Sequence, residues 1–263
     1  MAFPEFVRNL GHKSIFSSVL ALVVVASLAG CSSDDKKNPV APGGSTPTST
    51  TFTGVFTGPT TGGKVVITVA TTSLAPGLHA ARAGAAAVTA TGTLTPNGGA
   101  AVALTGTYDP ATDLVDVSGG GYTVNAFYDA EFTPPGMTGT FTGPSEDGNV
   151  LCPLGDGTAV KVFCGSYTAD VNSGGEWNFI ISGTSVAGYA WEDGATEMVP
   201  LFGTVTGTGE TRDVTLGFTS PDVTLTATGT WNTTTNAVSG VWNSADALAN
   251  PLDSGTWSGA LVP

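Results

Sequence analysis

The sequence is poor in the residues that most catalytic and metal sites require. It contains two histidines, three cysteines and three methionines in 263 residues. Only His79 lies beyond the N-terminal segment, so a Ser-His-Asp arrangement or a zinc site would depend on that one imidazole. We therefore predict that the protein is not an enzyme and holds no metal or cofactor.

Basic residues are also scarce. Eight Lys and Arg stand against 21 Asp and Glu, which gives a formal net charge of -13. A chain of this charge is repelled by phosphate backbones and by anionic lipid surfaces. Nucleic acid is therefore excluded as an expected partner.

Long apolar runs are absent, and the longest apolar segment is near the N-terminus. Arg8 and Lys13 precede an apolar stretch at 15–25, and small residues follow it up to Cys31. The stretch is shorter than the roughly 20 residues that a membrane-spanning helix needs. The arrangement is typical of a signal peptide, here residues 1–30.

The last residues of this segment, Leu28-Ala29-Gly30-Cys31, resemble the lipobox of bacterial lipoproteins. The resemblance implies that the Cys31 thiol takes a diacylglycerol, that cleavage leaves Cys31 first, and that its amine is acylated as well, for example with palmitate. Two or three acyl chains anchor a protein durably. Ser32 replaces the Asp that retains enteric lipoproteins in the inner membrane, so the similarity favours the outer membrane, on its periplasmic face or at the cell surface.

Residues 31–51 are rich in Ser, Thr, Pro and Gly and offer little to bury. This composition predicts a flexible tether between the lipid and the folded part of the chain.

Besides Cys31, the sequence contains two further cysteines, Cys152 and Cys164. In the oxidising compartment that an exported chain enters, they are expected to form a disulfide.

The rest of the chain contains an internal duplication. Five motifs recur in the same order, which predicts two homologous copies at 52–143 and 163–263, joined by a linker at 144–162. The motif pairs are FTGVFT at 52–57 and FCGSYT at 163–168, Gly62-Gly63 and Gly174-Gly175, ATGTL at 90–94 and LFGTV at 201–205, TGTYD at 105–109 and TGTWN at 228–232, and TGTFTG at 138–143 and SGTWSG at 254–259.

Within each copy, apolar and hydroxyl residues alternate as in β-strands. In VTLTATGTWN at 223–232, Leu225, Ala227 and Trp231 share one face, and threonines occupy the other. A transmembrane barrel would need an apolar outer face, which these threonines do not provide. We predict an all-β protein with two tandem antiparallel barrels of about seven or eight strands each, or two β-sandwiches as the alternative.

The recurring Gly-x-Trp, as in 229–231 and 255–257, resembles the calycin barrels, the lipocalins and avidins. All five tryptophans lie in the second copy, and Trp231, Trp242 and Trp257 are candidates for a ligand pocket inside its barrel. The alternative is that they fill the core, as their predicted counterparts Tyr108 and Phe141 do in the first copy.

Glycoside hydrolysis needs two carboxyl groups, and the sequence offers three pairs of them. The pairs are Asp129 and Glu131, Glu146 and Asp147, and Glu192 and Asp193. Nothing in the sequence marks one of them as a raised-pKa acid, and the turns that carry most of them favour solvated carboxylates.

The sequence thus favours a lipid-anchored, exported envelope or surface protein that displays two β domains, with a structural or adhesion role. The alternative is a barrel lipoprotein that binds a small molecule or a glycan. An envelope protein is a further expected partner, beside the membrane reached through Cys31.

Overall fold

The structure is a computed structural model that describes residues 48–71, 86–130, 135–195 and 197–263. All of them belong to one compact unit, 47–263. The described residues form two closed antiparallel β-barrels in tandem, each with eight strands. The predicted fold class is confirmed, and the alternative of two sandwiches is wrong.

The strands follow one another around each barrel in chain order. The first barrel consists of β1 (Thr48–Thr57), β2 (Gly62–Thr71), β3 (Val88–Pro96), β4 (Val102–Asp109), β5 (Leu114–Gly119), β6 (Tyr122–Asp129), β7 (Gly136–Thr142) and β8 (Asp147–Pro153). The second consists of β9 (Val160–Tyr167), β10 (Gly175–Ser182), β11 (Ser185–Glu192), β12 (Val199–Thr206), β13 (Thr211–Thr219), β14 (Val223–Asn232), β15 (Ala237–Asp246) and β16 (Pro251–Leu261).

Three strands extend into segments that the sequence assigned to the tether or to the linker. β1 begins at Thr48, inside the expected tether 31–51. β8 lies within 144–162, and β9 begins in the same segment, at Val160. The connection between the barrels is therefore 154–159.

The two barrels share one hydrogen-bonding register. Ala90, Gly106 and Val117 are neighbours across β3, β4 and β5, as Val186, Gly203 and Leu216 are across β11, β12 and β13. The same correspondence continues through β8 and β16, where Phe141 faces Gly148 and Trp242 faces Gly255. Each strand of the first barrel thus has its counterpart eight strands later, as expected for a duplicated unit.

This register corrects part of the motif alignment. The first two motif pairs do lie on equivalent strands, β1 with β9 and β2 with β10. The other three pairs do not: ATGTL lies in β3 but LFGTV in β12, TGTYD in β4 but TGTWN in β14, and TGTFTG in β7 but SGTWSG in β16. Several strands of each barrel carry a similar Gly-Thr pattern, so the motifs alone do not identify counterparts.

The predicted division of faces is confirmed. In β4, Leu104 and Tyr108 are buried while Ala103, Thr105 and Thr107 are exposed. In β14, Ala227 and Trp231 are buried, whereas Thr224, Thr228 and Thr230 on the other face are exposed. One apolar cluster fills each barrel because the strands alternate in this way around the whole circumference.

Rows of polar residues run around the outer faces, each residue paired with the next across neighbouring strands. In the first barrel one row crosses β1 to β7 and is made of hydroxyl residues throughout: Thr51, Thr68, Thr91, Thr105, Ser118, Thr123 and Thr142. The hydroxyls of Thr51 and Thr68 lie 3.2 Å apart, within hydrogen-bonding distance. Cross-strand hydroxyl pairs of this kind add to sheet stability.

The barrels are joined by a third apolar cluster. Its buried members are Val55 and Leu151 from the first barrel and Val160, Val162, Ile180 and Ala187 from the second. The outer face of β1 is therefore buried, unlike the hydroxyl-rich outer faces elsewhere. Asn178 on β10 connects to the first barrel through Asn97, whose amide nitrogen lies 3.3 Å from the Asn178 side-chain oxygen.

Candidate functional site

The tryptophans of the second barrel divide between its interior and the junction of the barrels. Trp177, Trp231, Trp242 and Trp257 belong to the core cluster, and the three residues predicted to line a pocket are 5–6% exposed. Trp191 is buried too, and its ring lies next to Gly62 of the first barrel. The register gives Tyr128, not Tyr108, as the counterpart of Trp231, and gives Phe141 as that of Trp242.

Glycines on neighbouring strands make room for the indole rings. A Cβ atom at Gly229 would lie 2.5 Å from the Trp257 ring, and one at Gly240 would lie 2.7 Å from Trp257 Nε1. Gly165 and Gly259 lie equally close to the ring of Trp177. The recurring Gly and Trp therefore fill the interior of this barrel together, at the close packing typical of protein cores.

Three of the four interior indoles donate a hydrogen bond to a backbone carbonyl. Trp177 donates to Ser166 at 3.1 Å, Trp242 to Thr168 at 2.8 Å, and Trp257 to Val241 at 3.2 Å. Trp231 is different because its Nε1 is buried and has no hydrogen-bond partner. Buried donors in proteins are nearly always paired, so Trp231 stands out among the core residues.

Trp231 contacts Arg212, which lies opposite it on β13. The guanidinium carbon lies 5.1 Å from the centre of the Trp231 ring, a cation–π contact. Arg212 Nε is also buried without a partner, although the residue as a whole is half-buried. Phe163 packs edge-on against the Trp231 ring, with ring centres 5.5 Å apart.

The register matches Val115 of the first barrel with Val214 of the second. Asp113 lies two residues before Val115, as Arg212 lies two residues before Val214, so Asp113 is the counterpart of Arg212. The Tyr108 hydroxyl donates to the Asp113 carboxylate at 2.5 Å. The two equivalent positions thus carry opposite charges: a carboxylate bonded to tyrosine in one barrel and a guanidinium over a tryptophan ring in the other.

The opposite end of each barrel is closed by a carboxylate that holds a loop. Asp253 accepts hydrogen bonds from the backbone of Asp170, Val171 and Asn172 in the β9–β10 loop, and from the Asn172 amide at 2.6 Å. At the equivalent place Glu146 accepts from the backbone and hydroxyl of Thr60 in the β1–β2 loop. The acidic turn at Glu146 is therefore a structural contact and not simply a solvated carboxylate.

The predicted disulfide between Cys152 and Cys164 is not present, and both thiols are free. Cys152 points into the core of the first barrel, opposite Met137, whereas Cys164 alternates with the inward-facing Phe163 and so lies on the outer face of the second. Burial raises the pKa of both thiols. Together with the charge of Glu176, it brings the pKa of Cys164 to about 11.

Some sequence predictions fall outside the described residues. The lipidation residue Cys31, the lone histidine His79 and the carboxylate Glu131 are among them. Within the described ranges, no group of three or more His, Cys, Asp and Glu residues is arranged to hold a metal ion. The same ranges contain no helix of the length and hydropathy needed to span a bilayer.

Sequence reasoning missed Arg212 and Asp253, and it considered Glu146 only as one member of a carboxylate pair. One feature of the sequence could have drawn attention to Arg212, since it and Lys161 are the only Lys or Arg residues after position 159.

The fold and these contacts define a protein with two tandem, side-chain-filled, eight-stranded barrels. Comparison of the chain with models of known families, with characterised proteins and with solved structures gave no significant match.

Proposed function

We propose that the protein is a lipid-anchored component of the bacterial envelope that displays two β-barrels on a tether and performs no catalysis. The anchor is the lipid on Cys31, and the site is the outer membrane, on its periplasmic face or at the cell surface. The displayed part meets its partners with the outer surfaces and ends of the barrels.

The observation that carries this proposal is the filling of both barrels. Their interiors are occupied by side chains, with Phe52, Ile67 and Phe141 in one and the tryptophans in the other. The outer faces carry rows of hydroxyl residues instead of the apolar band of a membrane-spanning barrel. This favours attachment through acyl chains, and it favours surface display over enclosure of a large ligand.

The anchor is tested by replacing Cys31 with Ala in the full-length protein. We expect the wild type to sediment with membranes and to carry a diacylglycerol on Cys31 by mass spectrometry, and the variant to be released. Cys164→Ala is the matched control, because it removes a thiol outside the lipobox-like segment and should leave both properties unchanged. Membrane retention of the Cys31 variant, together with a lipid-free wild type, would overturn the proposal.

Protease added to intact cells distinguishes the two faces of the outer membrane. Degradation of the barrels in intact cells places them at the surface. Protection that is lost when the outer membrane is permeabilised places them in the periplasm.

The alternative function, binding of a small molecule, is favoured by one specific observation. The buried donors of Arg212 and Trp231 lack a partner at one end of the second barrel.

A further inference from the structure

We propose that the Arg212 end of the second barrel binds the carboxylate of a small molecule, with the Arg212 guanidinium and the Trp231 indole N–H as donors. The Arg212 end is defined as Arg212 and Trp231 together with the turns 207–210 and 233–236 and the end of β16 at Leu261. This binding activity goes beyond surface display and does not depend on the lipid anchor.

The first argument is the pair of unmatched donors. Trp231 Nε1 and Arg212 Nε are both buried without a hydrogen-bond partner, on side chains that touch each other. The other three core tryptophans of this barrel all donate to a carbonyl oxygen. Two orphan donors at one place call for an acceptor that the described chain does not supply.

The second argument is charge. Glu210 and Asp213 flank Arg212 in a chain with a large excess of carboxylates, yet no described carboxylate forms an ion pair with it. Instead the guanidinium lies over the Trp231 ring, with its central carbon 5.1 Å from the ring centre, and the side chain stays partly exposed. A partly exposed guanidinium without an ion-pair partner is suited to bind a carboxylate through paired N–H groups.

The third argument is the rigidity of the surrounding turns. Thr233 N donates to Glu210 O at 2.7 Å, which ties the turn 233–236 to the turn 207–210. Leu261 N donates to Asn236 O at 3.0 Å, which ties the last strand to the same turn. Such a prearranged rim loses little conformational freedom when a ligand binds.

The first barrel indicates what kind of group is missing. At the position equivalent to Arg212 it carries its own carboxylate, Asp113, which accepts a hydrogen bond from Tyr108. The second barrel has a cation at that position, and the neighbouring Glu210 and Asp213 belong to the adjoining turn and to the outer face of β13. The acidic surface repels polyanions, so the ligand has a single carboxylate, as in a fatty acid, a sugar acid or the C-terminus of a short peptide.

The experiment follows the indole N–H resonances of the full-length, ¹⁵N-labelled protein in detergent during titration. The probes are hexanoate, glucuronate and N-acetylphenylalanine, each compared with its uncharged amide. We expect at least one acid to shift the Trp231 resonance with saturation, and its amide to bind at least tenfold more weakly. The acid that binds identifies the source of the carboxylate.

Three variants assign the interaction. Their affinity for the acid is measured by isothermal titration calorimetry beside the wild type, because Trp231→Phe lacks the reporting resonance. Arg212→Gln and Trp231→Phe should each weaken binding of the acid, the first by tenfold or more. Trp257→Phe is the matched control, because it removes an indole N–H that already donates to Val241 O, and it should bind like the wild type.

Several outcomes would overturn the proposal. These are no saturable shift of the Trp231 resonance with any acid, equal affinity for acid and amide, or unchanged affinity in Arg212→Gln. If Arg212→Gln does not give a folded spectrum, Trp231→Phe still decides, because it keeps the aromatic ring and removes the donor. Unchanged binding in that variant excludes the indole as part of the site.

Discussion

Glycine and tryptophan occupy complementary positions inside the second barrel. The rings of Trp177, Trp242 and Trp257 lie over glycines of neighbouring strands, where a side chain would collide with them. The first barrel has smaller residues at two of the matched places, Val65 for Trp177 and Val150 for Trp257. The same backbone scaffold therefore accepts two different ways of filling its interior.

Gly240→Ala tests this complementarity. The added Cβ would lie 2.0 Å from the Thr228 carbonyl oxygen and 2.7 Å from Trp257 Nε1, so strand or ring must move. We expect the free energy of unfolding to fall by about 1–3 kcal/mol, measured by urea denaturation. The control is Gly157→Ala in the connection between the barrels, where no atom lies within 4 Å of the new Cβ. Equal stability of the two variants would contradict the packing argument.

At this scale the alternation of residues predicted which side chains face inward, but it could not predict their partners. Cys152 and Cys164 are 12 positions apart in sequence, which favoured a disulfide in an exported chain. They belong to different barrels and to opposite faces, one inside and one outside. That separation depends on where β8 closes the first barrel, and sequence spacing carries no information on this closure.

Among the elements, the loops at one end of each barrel are held by a carboxylate of the last strand or of the turn before it. Burial favours the neutral form of Asp253. The hydrogen bonds from Ser254, Asn172 and Val171 outweigh it, so the pKa of Asp253 lies below its ordinary value. Because the folded-state pKa is the lower one, this carboxylate stabilises the fold above an ordinary pKa of about 3.9. The contribution is lost as the pH falls through the lowered pKa.

Asp253→Asn should therefore reduce stability at neutral pH by about 1–3 kcal/mol, since the backbone donors of the β9–β10 loop lose a charged acceptor. Its stability should fall less steeply than that of the wild type below about pH 4. Thermal unfolding between pH 3 and 7 measures both effects. Asp222→Asn, in an exposed turn, is the control and should follow the wild-type curve. A parallel pH dependence of wild type and Asp253→Asn would show that the loop does not depend on this charge.

The number of strands and their faces could be predicted from periodicity, whereas their equivalence could not. Thr-Gly-Thr occurs at 91–93, 105–107, 138–140 and 228–230, on strands that occupy different places in the barrels. A local motif of this kind indicates a strand with one face towards solvent. The place of that strand in the barrel is decided by its hydrogen-bond register with its neighbours. The Arg212 end was missed for the same reason, because Arg212 and Trp231 meet through the pairing of β13 with β14.

The molecule as a whole depends on the contact between the barrels. Val55 is fully buried on the outer face of β1, in a cluster shared with Ile180 and Val162. This interface was not predicted, because an apolar residue in a strand such as FTGVFT does not indicate which neighbour covers it.

Val55→Lys should separate the stability of the two barrels. A charge in the shared cluster is expected to cost about 2–4 kcal/mol and to turn one cooperative transition into two. All tryptophans belong to the second barrel, but Trp191 lies at the junction next to Gly62. In a Trp191→Phe background, therefore, tryptophan fluorescence follows the interior of the second barrel while circular dichroism follows both barrels. We expect the two signals to coincide in the wild type and to diverge in the variant. Val241→Lys, at a valine that is 55% exposed, is the matched control, and coincident signals in both variants would contradict the coupling.

The position of β1 also determines how the molecule bears mechanical load. β1 is bonded to β2 along its whole length and to β8 near its end, and the second barrel covers its outer face. Tension applied through the chain ahead of Thr48, along the direction of this strand, acts on its ladder in shear and must break many hydrogen bonds together. If the chain is anchored ahead of β1 as proposed, the fold would resist pulling at the strand where the force enters.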